Sequence, residues 1–491
     1  INSNLETVQN EISTGKKVGS AKDNAAIWAI STVMSTDVES FKQIGDALDL
    51  GSSTVGVARA AAEQVTETLQ DMKELIVSAQ QENVDRSKIQ TDIQALRDQI
   101  STVVGSAQFN GLNMVQGTDQ VNILSSLDRD SAGNVSPSYI TADRQDLTTA
   151  AGTFGGGTSL NPNATVSDTG TGALNDDGNT AVITMNTSGD YSGASGTFSV
   201  GGVTVSFAAG ELGTGDQDAA AGILAGRINA LGIEGITASA AGADVTITST
   251  RAFDGADVAV SGLGGNAAGT QITALNGTGS LTVASGTINE RAENVTFDTA
   301  AAVNDGDGYR ITFDGKQFTY VAGAGETMED VARGLKAAID AEGVDGISTQ
   351  VTQDGAGAWQ VKIDNDSTTT MTLAAIGNAD GEASGGLFGL DGIDVSTAAG
   401  ASAALDNIET MLQRSIDAAA SFGSVQKRIE GQTEFVNTLV DSLTMGVSGL
   451  TDADIEAASA KLQALQVQQQ LGVQALSIAN SAPQTLLSLF R

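Results

Sequence analysis

The reactive side chains of this sequence are nearly all carboxylates. Its 491 residues hold 59 Asp and Glu against 24 Lys and Arg, with no His and no Cys. Without imidazole or thiol there is no Ser-His-Asp relay, no thiolate nucleophile, no HExxH zinc site and no Cys-based zinc or iron-sulfur site. Paired carboxylates alone can hydrolyse glycosides. Such sites usually bring aromatic platforms for sugar rings, and only 4% of this chain is aromatic, which argues against an enzyme. Three short loops have motif-like spacing. Asp128, Arg129 and Asp130 precede Gly133 and Asn134, and NDGDG occupies 304–308. Neither supplies the further acidic ligands and final Glu of an EF-hand loop, so both read as polar turns. GAGE at 323–326 lacks the following Lys-Ser or Lys-Thr of a phosphate loop. No metal site and no cofactor are expected.

Charge and glycine divide the chain into three parts. Residues 1–120 carry 9 bases and 16 acids, residues 401–491 carry 5 and 9, and the 280 residues between them hold 10 and 34, a net charge of -24 out of -35. That middle also contains 46 of the 59 glycines. A surface this acidic disfavours nucleic acid, which needs a basic stripe, and anionic membrane surfaces. The absence of cysteine excludes a disulfide framework. The opening INSNLETVQN is not a charged-then-apolar secretory leader, so export would use another route.

The ends read as helices. From Ala25 to about Gln80, steps of three and four pass through Ile27, Ile30, Met34, Asp37, Phe41, Ile44, Leu48, Gly51, Val55, Ala58, Ala62, Val65, Leu69, Met72 and Ile76, a heptad seam with Asp37 and Gly51 as its weak entries. A second helix spans Asp85 to Val104, and the Asn110-Gly111 turn follows. Near the other end a matching seam runs through Leu405, Ile408, Leu412, Ser415, Ala419, Phe422, Gln426, Ile429, Thr433, Val436, Val440 and Leu443. The two seams are expected to pack on each other, leaving the middle as an excursion from the tip of a rod. Thr451 or Asp452 is the expected N-cap of a last helix.

That last helix contains 29 consecutive uncharged residues, Leu462 to Phe490. Seven glutamines and Pro483 rule it out as a membrane span. Leu462, Leu465, Leu471, Leu476, Ile478, Leu486, Leu487 and Leu489 wrap most of the way round it, so it wants protein on several sides.

The middle alternates short strands with Gly, Asn and Asp turns and contains an internal repeat. FSVGGVTVSF, a helical stretch ending INALGIEGI, and TASAAGADVTITS are matched by YRITFDGKQFTYVAG, a helix ending IDAEGVDGI, and STQVTQDGAGAWQVKID. Ile228-Asn229-Ala230 stands 111 residues before Ile339-Asp340-Ala341. Each unit reads as a ββαββ-like module whose helix covers one sheet face. The expected fold is a multi-domain α+β chain, with a long α-helical coiled-coil rod from both termini and β-rich outer domains in the middle.

Several stretches carry a family resemblance. GKKVGSAKDNAAIWAIS at 15–31, LQDMKELIVSAQ at 69–80, AQFNGLNMV at 107–115, FGSVQKR at 422–428, TDADIEAASAKL, and the ending PQTLLSLFR resemble bacterial flagellin, in the same order, over roughly the first 120 and last 90 residues. INALGIEGITAS resembles the small IN module of flagellin and hook-associated outer domains. The resemblance implies a structural subunit that self-assembles into the helical filament of the bacterial flagellum. It further implies a protein that is not an enzyme, that is extracellular, and that would be exported unfolded through the flagellar type III apparatus without a cleaved secretory signal.

By the same resemblance, residues 1–22 would form part of an inner helix and its connector, with the start of that helix expected to be missing. Residues 23–128 and 401–446 form the rod, 129–290 an outer domain with the first module, 291–400 the second module, and 447–491 the C-terminal inner helix. The filament core interface would be Leu462, Leu465, Leu471, Leu476, Ile478, Leu486, Leu487, Leu489, Phe490 and Arg491. The rod seam would hold Ile27, Ile30, Met34, Phe41, Ile44, Leu48, Leu69, Leu405, Ile408, Leu412, Phe422 and Ile429. Gln426 and Arg428 fall at subunit contacts in this picture, against the plainer reading of solvated heptad flanks.

Implied partners are further copies of the chain, the flagellar export apparatus and chaperone, the filament cap and the hook-junction proteins, with no nucleic acid and no membrane insertion. Flagellins sensed by the Toll-like innate receptor carry a base where this chain has Asp71, which implies receptor evasion. Rival readings are a hook-filament junction protein and, from another class, a surface glycan-binding adhesin.

Overall fold

A computed structural model describes residues 2–129, 134–166, 173–186 and 189–489, with Arg129, Val166 and 480–489 described by backbone alone. Among these residues seven α-helices occur: α1 Asn2–Thr14, α2 Ala25–Ala79, α3 Arg86–Ser106, α4 Gln217–Ala230, α5 Met328–Glu342, α6 Ala398–Thr451 and α7 Ile455–Leu489. Asn24, Asp85 and Thr397 cap α2, α3 and α6, each side-chain oxygen accepting from a backbone N–H of the first turn. Such a cap satisfies a donor that the first turn leaves without an intrahelical partner.

The rod is the antiparallel pair α2 and α6. Gln80 donates to the Ala401 carbonyl, Lys73 pairs with Glu409, Thr66 meets Ser415, and Arg59 meets Gln426, so one register holds along the pair. At 1.5 Å per residue α2 is about 80 Å long. Ile44, Leu48, Val55, Leu69, Met72 and Ile76 pack with Ile408, Met411, Phe422, Val425, Ile429 and Val436 in one core, which α3 joins through Ile93, Ile100 and Val104. Burial of each large apolar side chain contributes roughly 1.5–3 kcal/mol.

Near its N-terminus α2 departs from the expected seam. Ile30 is 55% exposed, and the inward positions there are Ser31 and Val38. The buried line therefore runs between Ile27 and Met34, which are only half-buried, rather than through them.

A hairpin of Gln120–Arg129 and Val135–Asp143 lies on the rod. Gly51 makes room for it: a Cβ there would stand 2.6 Å from Cγ2 of Ile123. The short hairpin Gln108–Phe109/Leu112–Asn113 turns on Asn110 and Gly111, both at positive φ, as a two-residue turn of this hand requires.

The middle consists of two nested domains. The proximal domain has a four-stranded antiparallel sheet, in the order Ile347–Gln353, Trp359–Asn365, Glu293–Phe297 and Ala164–Val166. A second sheet is ordered Lys316–Val321, Gly308–Phe313 and Ala374–Asn378. The distal domain has a five-stranded sheet, Ile236–Ala241, Asp244–Ser249, Asn179–Thr184, Gln271–Leu275 and Thr278–Val283. Its four-stranded partner is ordered Ser285–Ile288, Ala256–Gly264, Ser195–Val200 and Val203–Phe207.

Both repeats are ββαββ units, but in each the first hairpin joins one sheet and the second hairpin the other. The helix is consequently buried in a core lined by two sheets, instead of covering one: α5 packs on strands of both. Strand Ala164–Val166 pairs with Glu293–Phe297, so the stretch expected to open the first outer unit belongs to the second, and the boundary expected at 290 is crossed by a ladder. The distal domain is an insertion in the proximal domain, itself an insertion in the rod.

The two chain crossings at each level lie side by side. Outgoing residues 146–153 and returning residues 382–387 exchange backbone hydrogen bonds, as in Thr153 N to Glu382 O and its reciprocal, both 2.9 Å. At the distal crossing the Asn179 amide donates to the Glu290 carbonyl at 2.7 Å.

Candidate assembly surface

At the end of the rod where α2 starts and α6 ends, α1 packs on α7 through Val8, Ala458 and Leu465, with Leu5, Ile12 and Leu462 partly buried around them. The connector that leads from α1 to α2 is tied to the one that leads from α6 to α7. Lys17 N and Val18 N donate to the Thr451 carbonyl at 2.6 and 3.2 Å, and Ala453 N donates to the Gly15 carbonyl at 2.9 Å. This pairing explains why the expected N-cap at Thr451 or Asp452 is not used. Thr451 closes α6, and Asp454 caps α7 by accepting from Glu456 N and Ala457 N at 3.1 and 3.0 Å.

Beyond Leu465 the apolar side chains of α7 as far as Ile478 are largely exposed. Leu471, Val473 and Leu476 are 59%, 63% and 71% exposed, and Val467 and Ile478 are exposed as well. Trp28, Ile30 and Val33 on α2, Met445 and Leu450 on α6, and Ile455 add exposed apolar side chains at the same pole, since the start of α2 lies beside the end of α6. Soluble monomers seldom show apolar surface in such a run, and it marks an interaction face. Of the tail residues singled out from sequence, Leu462 and Leu465 pack within the chain and Leu471, Leu476 and Ile478 point outward. The side chains of Leu486, Leu487 and Leu489, and Phe490 and Arg491 entirely, lie outside the described residues.

The other candidates are scattered along the rod. Ile44, Leu48, Leu69, Ile408, Leu412, Phe422 and Ile429 are buried, while Ile27, Met34, Phe41 and Leu405 are half-buried. Gln426 has partners within the chain: its Oε1 accepts from Arg59 Nε at 2.9 Å, and its amide donates to Glu430 at 3.3 Å. Arg428 and Asp71 are exposed.

Among the described residues no three acidic side chains converge as a metal site, and no helix is long and apolar enough to cross a membrane. In NDGDG, Asp307 accepts from Asn304 N and Asn304 Nδ2, a polar turn, and Asp128 accepts from Ser138 at 2.7 Å. Of Asp128-Arg129-Asp130, Asp130 lies outside the described residues. Sequence reasoning missed Glu326, the last residue of GAGE, and Arg414 on α6, which meet at 2.5 Å between proximal domain and rod. The only sequence signal for such pairs is the scarcity of bases in an acidic middle.

Comparison with known proteins adds the following. Residues 1–120 match the bacterial flagellin N-terminal helical region, and residues 405–490 the bacterial flagellin C-terminal helical region. The chain is 28% identical over 496 residues to flagellin A of Rhizobium meliloti, covering 100% of this chain and 95% of that one. It is 40% identical over 120 residues to flagellin FljM of Caulobacter vibrioides, covering 24% and 44%. Among solved structures, FliC from Burkholderia pseudomallei aligns at 13% identity and a TM-score of 0.27, covering 77% of this chain and 99% of that one. Hook associated protein-3 from Legionella pneumophila aligns at 10% and 0.33, covering 85% and 98%.

Proposed function

The chain belongs to the bacterial flagellin family, and from that premise we infer that it is the structural subunit that self-assembles into the helical filament of the flagellum, for swimming motility. The family is structural, not enzymatic, which agrees with a sequence lacking imidazole and thiol. The observation that carries the reading is the run of exposed apolar side chains on α7, Val467 to Ile478, to which Trp28, Ile30 and Val33 of α2 and Met445 and Leu450 of α6 add further exposed apolar surface. A face of this kind repeated on every copy, meeting a different face on the next, propagates an open helix.

In that filament α1 and α7, within 1–22 and 447–491, form the inner layer, and 23–128 with 401–446 the tube. The proximal and distal domains face outward, where like charge keeps filaments soluble. Leu471, Leu476, Ile478, Leu486, Leu487, Leu489, Phe490 and Arg491 contact neighbouring copies, as does the exposed Arg428. The subunit is extracellular, reached through the flagellar export apparatus with a chaperone, and it meets the filament cap and hook-junction proteins at the filament's ends. Exposed Asp71, in place of the base of receptor-sensed flagellins, makes it a poor agonist of the innate receptor. A reporter-cell response equal to that of an enteric flagellin would overturn this last assignment.

The test is electron microscopy of full-length protein seeded with short filament fragments in moderate salt. Long filaments of uniform diameter, lost on deletion of 462–491, establish the filament subunit. Protein that only caps the seed ends identifies a junction protein instead, and binding of fragment 121–400 on a glycan array with no polymer points to an adhesin.

A further inference from the structure

The 280-residue middle has only ten bases, and three of them lie where one domain meets the next, Lys336 buried and Arg291 and Lys362 with side chains only 11% and 14% exposed. At the distal–proximal junction two adjacent residues of opposite charge meet two same-face residues of strand Trp359–Asn365. Arg291 holds Asp364 through two parallel bonds of 2.7 Å, and Lys362 holds Glu290 at 2.7 Å. Lys362 also donates to the carbonyl of Phe253 in a distal loop at 3.3 Å.

At the proximal–rod junction α5 faces α6. Lys336 Nζ lies 2.7 Å from Asp340 and 3.2 Å from Oδ1 of Asn407, whose amide donates to Asp340 at 3.0 Å. Two turns along α6, Arg414 reaches Glu326 at 2.5 Å and Asp330 at 3.4 Å. Glu326 also accepts the Tyr320 hydroxyl at 2.7 Å, and burial pushes that hydroxyl far above its ordinary range, so it stays a donor.

Buried ion pairs such as these add little stability over apolar side chains of similar shape, because desolvation offsets their attraction. What they impose is geometry: an apolar junction tolerates sliding, whereas a paired, hydrogen-bonded cation has one seat. We propose that the ion pairs Arg291–Asp364, Lys362–Glu290 and Arg414–Glu326, with the hydrogen bonds that Asn407 of α6 makes to Lys336 and Asp340 of α5, are orientation locks, which fix the distal domain on the proximal domain and the proximal domain on the rod, so that the outer arm is a rigid bracket. The inference concerns the single chain, independent of what it assembles into.

Because the chain has no cysteine, paired spin labels can be placed without background. Exposed Ser424 and Ala356 span the rod–proximal junction, and Ala356 with exposed Thr278 spans the proximal–distal one. In soluble full-length protein both pairs should give a single narrow distance distribution. Arg291→Met with Asp364→Leu should leave the thermal midpoint close to the parent's, widen the Ala356–Thr278 distribution at least twofold, and leave Ser424–Ala356 unchanged. Arg414→Met with Glu326→Gln, which keeps an acceptor for Tyr320, should do the reverse. Distributions as narrow as the parent's in both variants overturn the proposal, as does widening that occurs only with a collapse of the thermal midpoint. Should the Arg414→Met double variant fail to fold, Glu326→Gln alone is read at Ser424–Ala356 by the same criterion; should the Arg291→Met one fail, Asp364→Asn keeps the shape and removes the charge. Widening with Asp364→Asn supports the lock, and an unchanged distribution overturns it.

Discussion

The hydroxyls of Thr66 and Ser415 stand 2.7 Å apart inside the rod, and both lie within reach of the Ala62 carbonyl, at 2.8 and 3.1 Å. Ser415 is fully buried, so α2 and α6 approach closely there and share a small polar knot. Ser415→Ala should cost about 1 kcal/mol, the net worth of one hydrogen bond. Ser415→Leu, which would perfect the heptad on paper, should cost about 1–3 kcal/mol through overpacking. Urea denaturation followed by helical circular dichroism separates the two, and a more stable Leu variant would refute the close approach.

Gly51→Ala should also destabilise the rod. A mid-helix Ala normally gains about 1 kcal/mol over Gly, but this Cβ would fall 2.6 and 2.9 Å from two carbons of Ile123. The clash should outweigh the propensity, for a net loss of about 1–2 kcal/mol. Adding Ile123→Val should return part of it, measured as a double-mutant cycle.

Two glycines elsewhere should behave in the opposite way. Gly222 and Gly226 lie in α4 with nothing within 4 Å of where a Cβ would sit. Each Gly→Ala change should stabilise the distal domain by about 0.5–1 kcal/mol, read as a rise in its calorimetric transition. No gain would mean that the helix is not seated as described.

On α7, Leu471→Gln with Leu476→Gln should leave the monomer's stability within about 0.5 kcal/mol, because both side chains are exposed there. Assembly should suffer strongly: the protein concentration needed for seeded growth should rise more than about tenfold, since two large apolar contacts per copy are lost. Unchanged growth would remove this face from the interface.

Acid should weaken the distal–proximal junction. Burial is the largest single influence on Glu290 and opposes its ionisation, but its hydrogen bonds and its attraction to Lys362, with the Lys362 hydrogen bond foremost, together outweigh burial and hold the carboxyl below the ordinary value of 4.5. A depressed carboxylate contributes stability that is present above its unfolded-state value and lost as pH falls through the folded one. Lys362→Met should therefore flatten the fall of the outer-domain melting temperature between about pH 5 and 3. An equally steep fall in the variant would show that other groups govern it.

These contrasts also mark what the residues reveal before folding. The rod was legible because its contacts repeat at helical spacing: Ile44, Leu48, Leu69, Phe422 and Ile429 could be placed by counting. The repeat was legible because Ile228-Asn229-Ala230, with hairpin-like stretches on both sides, is matched 111 residues on by Ile339-Asp340-Ala341. The sheet partners were not. Ala164–Val166 finds Glu293–Phe297 across some 130 intervening positions, a pairing that leaves no local periodicity. Ion pairs such as Arg291 with Asp364 and Arg414 with Glu326 were equally silent, since an acidic sequence offers every base dozens of plausible mates. Ile30 erred because apolar spacing does not distinguish a face turned to its own chain from one left open.

The paired crossings have a consequence for how such chains diversify. The backbone enters the distal domain at Asn179 and leaves it at Glu290, and one side-chain amide bridges the two points. A splice there could remove or exchange more than a hundred residues and leave the stubs already in register. The outgoing and returning runs at 146–153 and 382–387 offer the same cut one level deeper. What the outside world meets can thus be shortened, lengthened or replaced wholesale, while the part that must match its neighbours stays as it was.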